Sequence, residues 1–315
     1  MPNIPGTSTS LSRRLLVQRG VAAGAVIALA GTARAGAASA SQATPQAVPG
    51  YPRPGLLVDA AWLQANIDRE NLVVVGLMPE SDFTVSHIPG AQQIDWPSLE
   101  IVDTSDLGID AWQSQIAAAI GQLGITPAST VVIYDDGTLF AARLWWVLHY
   151  LGHADVRILD GGLAAWKAAG GEVVEGEPVQ NPVGIYEGAP NAAVLATYTQ
   201  VLDSLGQSEV VIVDARSHAE YVEGHIPGAV NIHYLLVAQP DLPRYWKPAA
   251  ELETMFDGAG IGRDKRVIPY CFSGVKSAVM FFTLHLLGYD DVALFTGSWN
   301  EWSVMPDAPI ETGEG

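Results

Sequence analysis

Short apolar runs alternate with longer, partly polar ones along this chain, and the whole alternation occurs twice. Residues 72–75, 131–134 and 156–159 have strand length and composition in the first half, as do 210–213, 266–270 and 292–295 in the second. Between them, residues 110–123, 141–151, 249–259 and 277–287 read as helices. Strands that alternate with helices predict an α/β fold in which a mostly parallel sheet is covered on both faces, because each parallel crossover is a helix. Sites in such folds lie beyond the carboxyl ends of the strands.

The repetition is also visible residue by residue at a shift of about 136 to 138 positions. His87-Ile-Pro-Gly-Ala91 matches His225-Ile-Pro-Gly-Ala229, and Val131-Val-Ile-Tyr134 matches Val267-Ile-Pro-Tyr270. Residues 148–156 likewise match 284–292, and Gly162-Leu-Ala-Ala-Trp166 matches Ser298-Trp-Asn-Glu-Trp302. The period is too long for a solenoid, so the chain is expected to hold two tandem domains, at 50–170 and 191–310. The stretch from Gly170 to Pro190 is rich in Gly, Pro and Glu without apolar periodicity, which predicts an exposed linker over 171–190.

Candidate chemistry sits in one place. The segment Val267-Ile-Pro-Tyr-Cys271-Phe-Ser-Gly-Val-Lys-Ser277 contains the only cysteine among 315 residues. An apolar strand ends at Cys271, a short loop with one glycine follows, and Ser277 opens an apolar helix. A thiol so placed faces backbone N–H groups and the positive end of a helix, both of which favour thiolate. Lys276 adds a full charge. A cysteine that merely fills a core needs neither the glycine nor the lysine.

Cys271-Phe272-Ser273-Gly274-Val275-Lys276-Ser277 resembles the active-site loop of the rhodanese family of sulfurtransferases, Cys-x-x-Gly-x-Arg/Thr-Ser/Ala. A second family signature stands upstream, in Val213-Asp214-Ala-Arg216 followed by Glu220-Tyr221-x-x-Gly224-His225-Ile-Pro-Gly-Ala229-Val-Asn231. The resemblance implies two tandem rhodanese-like domains and double displacement through a Cys271 persulfide, without a cofactor. It implies that Phe272, Ser273, Gly274, Val275 and Lys276 bind substrate, that Arg143 reaches toward the donor's anionic end, and that Asp214, Arg216 and Ser277 support the loop. The expected donor is thiosulfate and the acceptor a small thiophile such as cyanide. A 3-mercaptopyruvate sulfurtransferase, or a persulfide carrier that does not turn over, are the alternatives. Phosphatases and arsenate reductases need one more loop residue and an arginine where Ser277 stands. In the first copy Asp135 replaces the cysteine, and Gly76 and Met78 replace Asp214 and Arg216, so that copy is expected to be inactive.

Composition changes the picture through the first forty residues, which carry Arg13, Arg14, Arg19 and Arg34 and no acidic residue. A pair of arginines, an apolar run over 21–30 and small residues at 33–40 have the layout of a cleavable twin-arginine signal. That layout implies the twin-arginine export machinery as a partner and a periplasmic or secreted protein. The apolar run is too short to span a hydrocarbon core of roughly 30 Å. The whole chain has 16 basic and 34 acidic residues; without the four leader arginines it keeps 12 against 34, a formal charge of −22. Such a surface repels nucleic acid and anionic membranes, which excludes both as partners of the mature chain. The seven histidines show no ligand spacing, so no metal site is expected.

Overall fold

In the computed structural model, residues 50–179 and 184–314 are described. The leader expected over residues 1–40, with its paired arginines, lies outside them.

The first half runs β1 (Leu57–Val58), α1 (Ala60–Asn66), β2 (Leu72–Leu77), α2 (Glu80–Val85), β3 (Gln92–Ile94), α3 (Asp106–Gln122), β4 (Thr130–Tyr134), α4 (Ala141–Tyr150), β5 (Val156–Leu159) and α5 (Gly162–Ala168). Its five strands are all parallel, in the order β1-β5-β4-β2-β3. The second half repeats the plan with β6 (Leu195–Ala196), α6 (Tyr198–Ser204), β7 (Val210–Asp214), α7 (His218–Glu223), β8 (Val230–Asn231), α8 (Ala249–Gly258), β9 (Arg266–Tyr270), α9 (Val275–Leu286), β10 (Leu294–Phe295) and α10 (Ser298–Trp302). Here β8-β7-β9 and β10-β6 form separate ladders, and a parallel bridge between Val267 and Val292 joins them into the same order. The two-domain α/β architecture expected from the alternation is present.

Each central strand, β4 and β9, feeds the most apolar helix of its half. In α4 every residue but His149 is buried, including Arg143, and α9 is buried on nearly all sides. A helix without a polar face must be covered all round. The two cover each other: Trp145 of α4 packs edge-on against Phe282 of α9, centroids 4.9 Å apart, with Phe281 beside it. The seam thus brings the first half up against the helix that follows the cysteine loop.

Most of the described linker residues are exposed, as expected, but the segment is tied to the first half at several points. Val174 forms an antiparallel bridge with His87, and Tyr186 is buried, with its hydroxyl bonded to His153 Nδ1 at 2.9 Å. The N–H groups of Tyr186, Ala189 and Asn191 donate to Ala117, Leu151 and Tyr150 of the first half. A single aromatic anchor with backbone pairing docks a segment that has no periodicity to reveal it.

Asp160, at the end of β5, joins the halves by accepting the Trp246 N–H at 3.0 Å. Burial raises its pKa to about 7, Asp59 adds to the rise, and the N–H groups of Trp246 and Gly161 oppose it. A carboxyl raised in the fold is neutral in both states at low pH. Its contribution to stability is therefore full below the unfolded value near 4 and is lost as pH climbs through about 7. In urea melts Asp160→Asn should gain on the parent chain from pH 5 to pH 8, by on the order of 2–4 kcal/mol at the upper end. A gap that does not change with pH would remove this carboxyl from the pH response.

Candidate active site

Strand β9 delivers Cys271 to the carboxyl edge of the second sheet, where the chain must turn sharply into α9. Gly274 makes that turn with φ +85°, and a Cβ there would lie 2.7 Å from the Thr296 carbonyl oxygen and 3.2 Å from Arg143 Nη1. Only glycine fits both the conformation and the space. The turn aims the Gly274 N–H at Cys271 Sγ, 3.2 Å away, and brings the Ser277 hydroxyl within 3.5 Å of it. The helix opens at Val275, two residues before the expected start, so Ser277 sits in the first turn and its hydroxyl returns to the sulfur. Behind the loop, Cys271 N–H donates to Ser298 Oγ at 3.1 Å, and the carbonyls of Cys271 and Phe272 accept from Trp299 and Asn300, each at 3.0 Å. The sulfur is fixed and almost fully buried.

It faces a cavity of about 310 Å³ lined by Trp96, Phe140, Glu220, Phe272, Ser273, Val275 and Lys276, as well as by Cys271 itself. Trp96 and Phe140 come from the first half, so the copy without the thiol supplies part of the wall. Phe272 is half exposed at its mouth. Of the expected binding residues, Phe272, Ser273, Val275 and Lys276 line this space, and Gly274 contacts the sulfur through its N–H.

Arg143 is placed differently from the expectation. Its guanidinium is fully buried behind the loop, donating to Thr296 Oγ1 at 2.8 Å and to the Leu99 carbonyl, with its face over Trp146. It is not part of the cavity lining. Burial lowers its pKa to about 10, against the opposing pull of Cys271 and Glu100. Arg143 instead ties the turn after β10 to the first half and sets a positive charge behind the sulfur.

Lys276 reaches the cavity, but its ammonium lies 3.7 Å from Glu220 Oε2 and 5.9 Å from the Tyr234 ring centroid. Burial acts against ionisation of Glu220, yet hydrogen bonds from Ser217, with the charges of Lys276 and Arg216, hold its pKa below the usual range. The lysine's charge is thus largely balanced at the cavity wall.

Asp214 and Arg216 form a buried brace. Arg216 Nη2 meets Asp214 Oδ2 at 2.6 Å and the Gly224 carbonyl at 2.7 Å, and its guanidinium covers Trp299 at 4.4 Å. Tyr270, next to the cysteine, donates its hydroxyl to Asp214 at 2.6 Å. Asn231 Nδ2 donates to the Asp214 and Arg216 carbonyls, each at 3.0 Å. His225 and His87 are buried and stacked on Tyr221 and Phe83, with each Nδ1 at 2.9 Å from the carbonyl four residues back. They order turns and lie outside the cavity lining.

The first copy keeps the loop without the thiol. Asp135 Oδ1 accepts the Gly137 N–H at 2.7 Å and Oδ2 accepts the Ala141 N–H at 2.9 Å. A carboxylate therefore fills the cradle that surrounds the sulfur in the second copy. Gly76 and Met78 occupy the places of Asp214 and Arg216, and a Cβ on Gly76 would meet the Tyr134 hydroxyl at 2.9 Å.

Several contributors escaped the sequence. Ser298 accepts the Cys271 N–H from a left-handed conformation, φ +55°, matching Gly162 at φ +58° in the other copy. The alignment of these two residues was the available signal. Thr296, Trp96 and Phe140 carried none: Thr296 reaches the loop through the neighbouring strand β10 of the same half, and Trp96 and Phe140 through the packing of the two halves.

The chain matches the rhodanese-like domain family over residues 59–169 and 197–305. It is 31% identical over 270 residues to a thiosulfate sulfurtransferase of Azotobacter vinelandii, covering 81% of this chain and 97% of the relative. It is 32% identical over 277 residues to a 3-mercaptopyruvate sulfurtransferase of Escherichia coli, with the same two coverages. A crystal structure from Escherichia coli, described as showing the rhodanese fold and catalytic mechanism of 3-mercaptopyruvate sulfotransferases, superposes with TM-score 0.67 at 32% identity, over 78% of this chain and 99% of that one. The protein belongs to the rhodanese family, with two such domains in tandem, and is a sulfurtransferase.

The brace yields a stability prediction. Asp214→Ala leaves the Arg216 charge buried without its carboxylate and the Tyr270 hydroxyl without its acceptor. Chemical denaturation should show a loss on the order of 3–5 kcal/mol. A loss under about 1 kcal/mol would mean that water replaces the carboxylate and that the network does not support the loop.

Proposed function

We propose that Cys271 takes the outer sulfur of a small anionic donor as a persulfide and passes it to a thiophilic acceptor. The observation that carries this is the sulfur itself, held by the Gly274 N–H beside the Ser277 hydroxyl at the floor of an accessible cavity. In the first step the thiolate attacks the donor's sulfane sulfur. With thiosulfate the S–S bond breaks and sulfite leaves with its electron pair. With 3-mercaptopyruvate the C–S bond breaks, the carbon leaves as the enolate of pyruvate, and the thiol proton ends on that carbon. Either route leaves Cys271–S–S⁻. In the second step cyanide or another thiophile attacks the terminal sulfur, and the thiolate is regenerated. The loop N–H group and the start of α9 stabilise negative charge on the sulfur throughout. The chemistry is substitution at sulfur and needs no electron carrier.

Thiosulfate is the donor that the expected location outside the cell supports. The cavity supports the second reading, 3-mercaptopyruvate, because its walls are largely apolar and Lys276 is balanced by Glu220. The paired arginines of the leader support export by the twin-arginine route, with a periplasmic or secreted destination.

With the leader removed, the protein should turn over thiosulfate or 3-mercaptopyruvate with cyanide, and Cys271→Ser should reduce kcat at least a thousandfold, to background. Mass spectrometry of the protein treated with donor alone should show one added sulfur on the cysteine. Persulfide without turnover would favour the carrier reading; activity retained in the serine variant would end the mechanism. For export, Arg13→Lys with Arg14→Lys should retain the full chain in the cytoplasmic fraction, and normal export of that variant would exclude the route.

A further inference from the structure

The cavity over Cys271 is unusual in its charge. Among the described residues lining it, Lys276 is the one cation and Glu220 the one anion, 3.7 Å apart. The nearby arginines are engaged elsewhere: Arg143 is behind the loop with Thr296 and Leu99, and Arg216 is clasped by Asp214. Burial and the Lys276 charge both lower the His233 pKa, against the weaker pull of Glu220. A dianion entering this space meets one balanced ammonium and one fixed carboxylate, on a protein that already carries a large negative charge. An organic monoanion loses less to repulsion and gains apolar contact with Trp96, Phe140 and Phe272.

We propose that Glu220 fixes the charge of the donor this site accepts, turning it against dianions such as thiosulfate and toward singly charged donors with a carbon skeleton. This rests on the sulfurtransferase reading above and deepens it. Glu220 is well suited to the role because its backbone is independently anchored: it is the third residue of α7, and its Oε2 closes a capping box with Ser217, at 3.0 Å from the backbone N and 2.6 Å from the hydroxyl. The carboxylate is therefore held at the cavity wall whether or not substrate is present.

The capping box also supplies a variant that keeps the fold. Gln200 closes the equivalent box with Thr197 at the start of α6, so Glu220→Gln can cap α7 while losing its charge. Thiosulfate is to be compared with an alkanethiosulfonate, which offers the same kind of sulfane sulfur on a sulfonyl group with one negative charge fewer. With cyanide as acceptor, Glu220→Gln should raise kcat/KM for thiosulfate about fivefold relative to that for the thiosulfonate, the scale of one charge interaction at a half-exposed site. Lys276→Met should move the ratio the other way. A purely structural role for Glu220 would change both donors by the same factor, and that result overturns the proposal. Alkylation of Cys271 reads the same charge without sulfur transfer: Glu220→Gln should raise the rate with iodoacetate relative to neutral iodoacetamide. If the parent chain turns over neither donor but this alkylation ratio shifts, the sulfurtransferase reading fails while the role of Glu220 stands. An unchanged alkylation ratio refutes that role.

Discussion

The packing of α4 against α9 is the contact on which the remaining architecture depends. Each helix follows the central strand of its half, and each is mostly apolar and buried on nearly all sides, so neither half could present its helix to water. Covering one with the other, through Trp145 against Phe281 and Phe282, sets the two sheets in a fixed relation. That relation carries Trp96 and Phe140 to the cavity over Cys271 and Arg143 to the back of its loop. The half without the thiol is thus a structural part of the site, since Trp96 and Phe140 wall the cavity over Cys271.

Duplication followed by divergence is legible in the two loops. Both leave a central strand, turn through a positive-φ glycine and direct backbone N–H groups inward. In one the cradle surrounds a carboxylate of the chain itself; in the other it surrounds a sulfur that opens onto a cavity. Asp135 accepts two N–H groups, so a group of the chain itself satisfies the first cradle. Cys271 Sγ also has two such contacts, but they are longer, at 3.2 and 3.5 Å, and so hold the sulfur less tightly. The same backbone geometry therefore gives a closed turn in one copy and a reactive one in the other.

Charge in the site is organised against the charge of the molecule. A strongly acidic surface gives no long-range attraction to an anionic donor, so local groups must supply it. They do so sparingly: the start of α9, a guanidinium fixed behind the loop, and a lysine whose ammonium is already shared with Glu220. Relatives of comparable identity are named for two different donors. The discriminating features are thus a few side chains at the rim and not the fold, which both kinds hold in common.

The order of strands and helices, the duplication, the cysteine loop and the loss of the thiol in the first copy were all legible along the chain, because each depends on local periodicity or on residues adjacent in sequence. Gly274 could be assigned its turn for the same reason. The role of Arg143 could not: its neighbours Thr296 and Leu99 are distant in sequence, and only the α4 and α9 seam decides that it faces inward. The anchoring of the linker by Tyr186, the cap that Ser298 places on Cys271, and the meeting of Glu220 with Lys276 are likewise contacts between residues distant in sequence, each made without that seam. The sequence by itself determined the fold and the class of reaction and singled out the cysteine loop, since strand and loop patterns encode them locally. The tertiary structure alone decided which charges reach the cavity and which are held behind it, because that depends on contacts between segments remote in sequence, within the second half for Glu220 and Lys276 and across the two halves for Arg143.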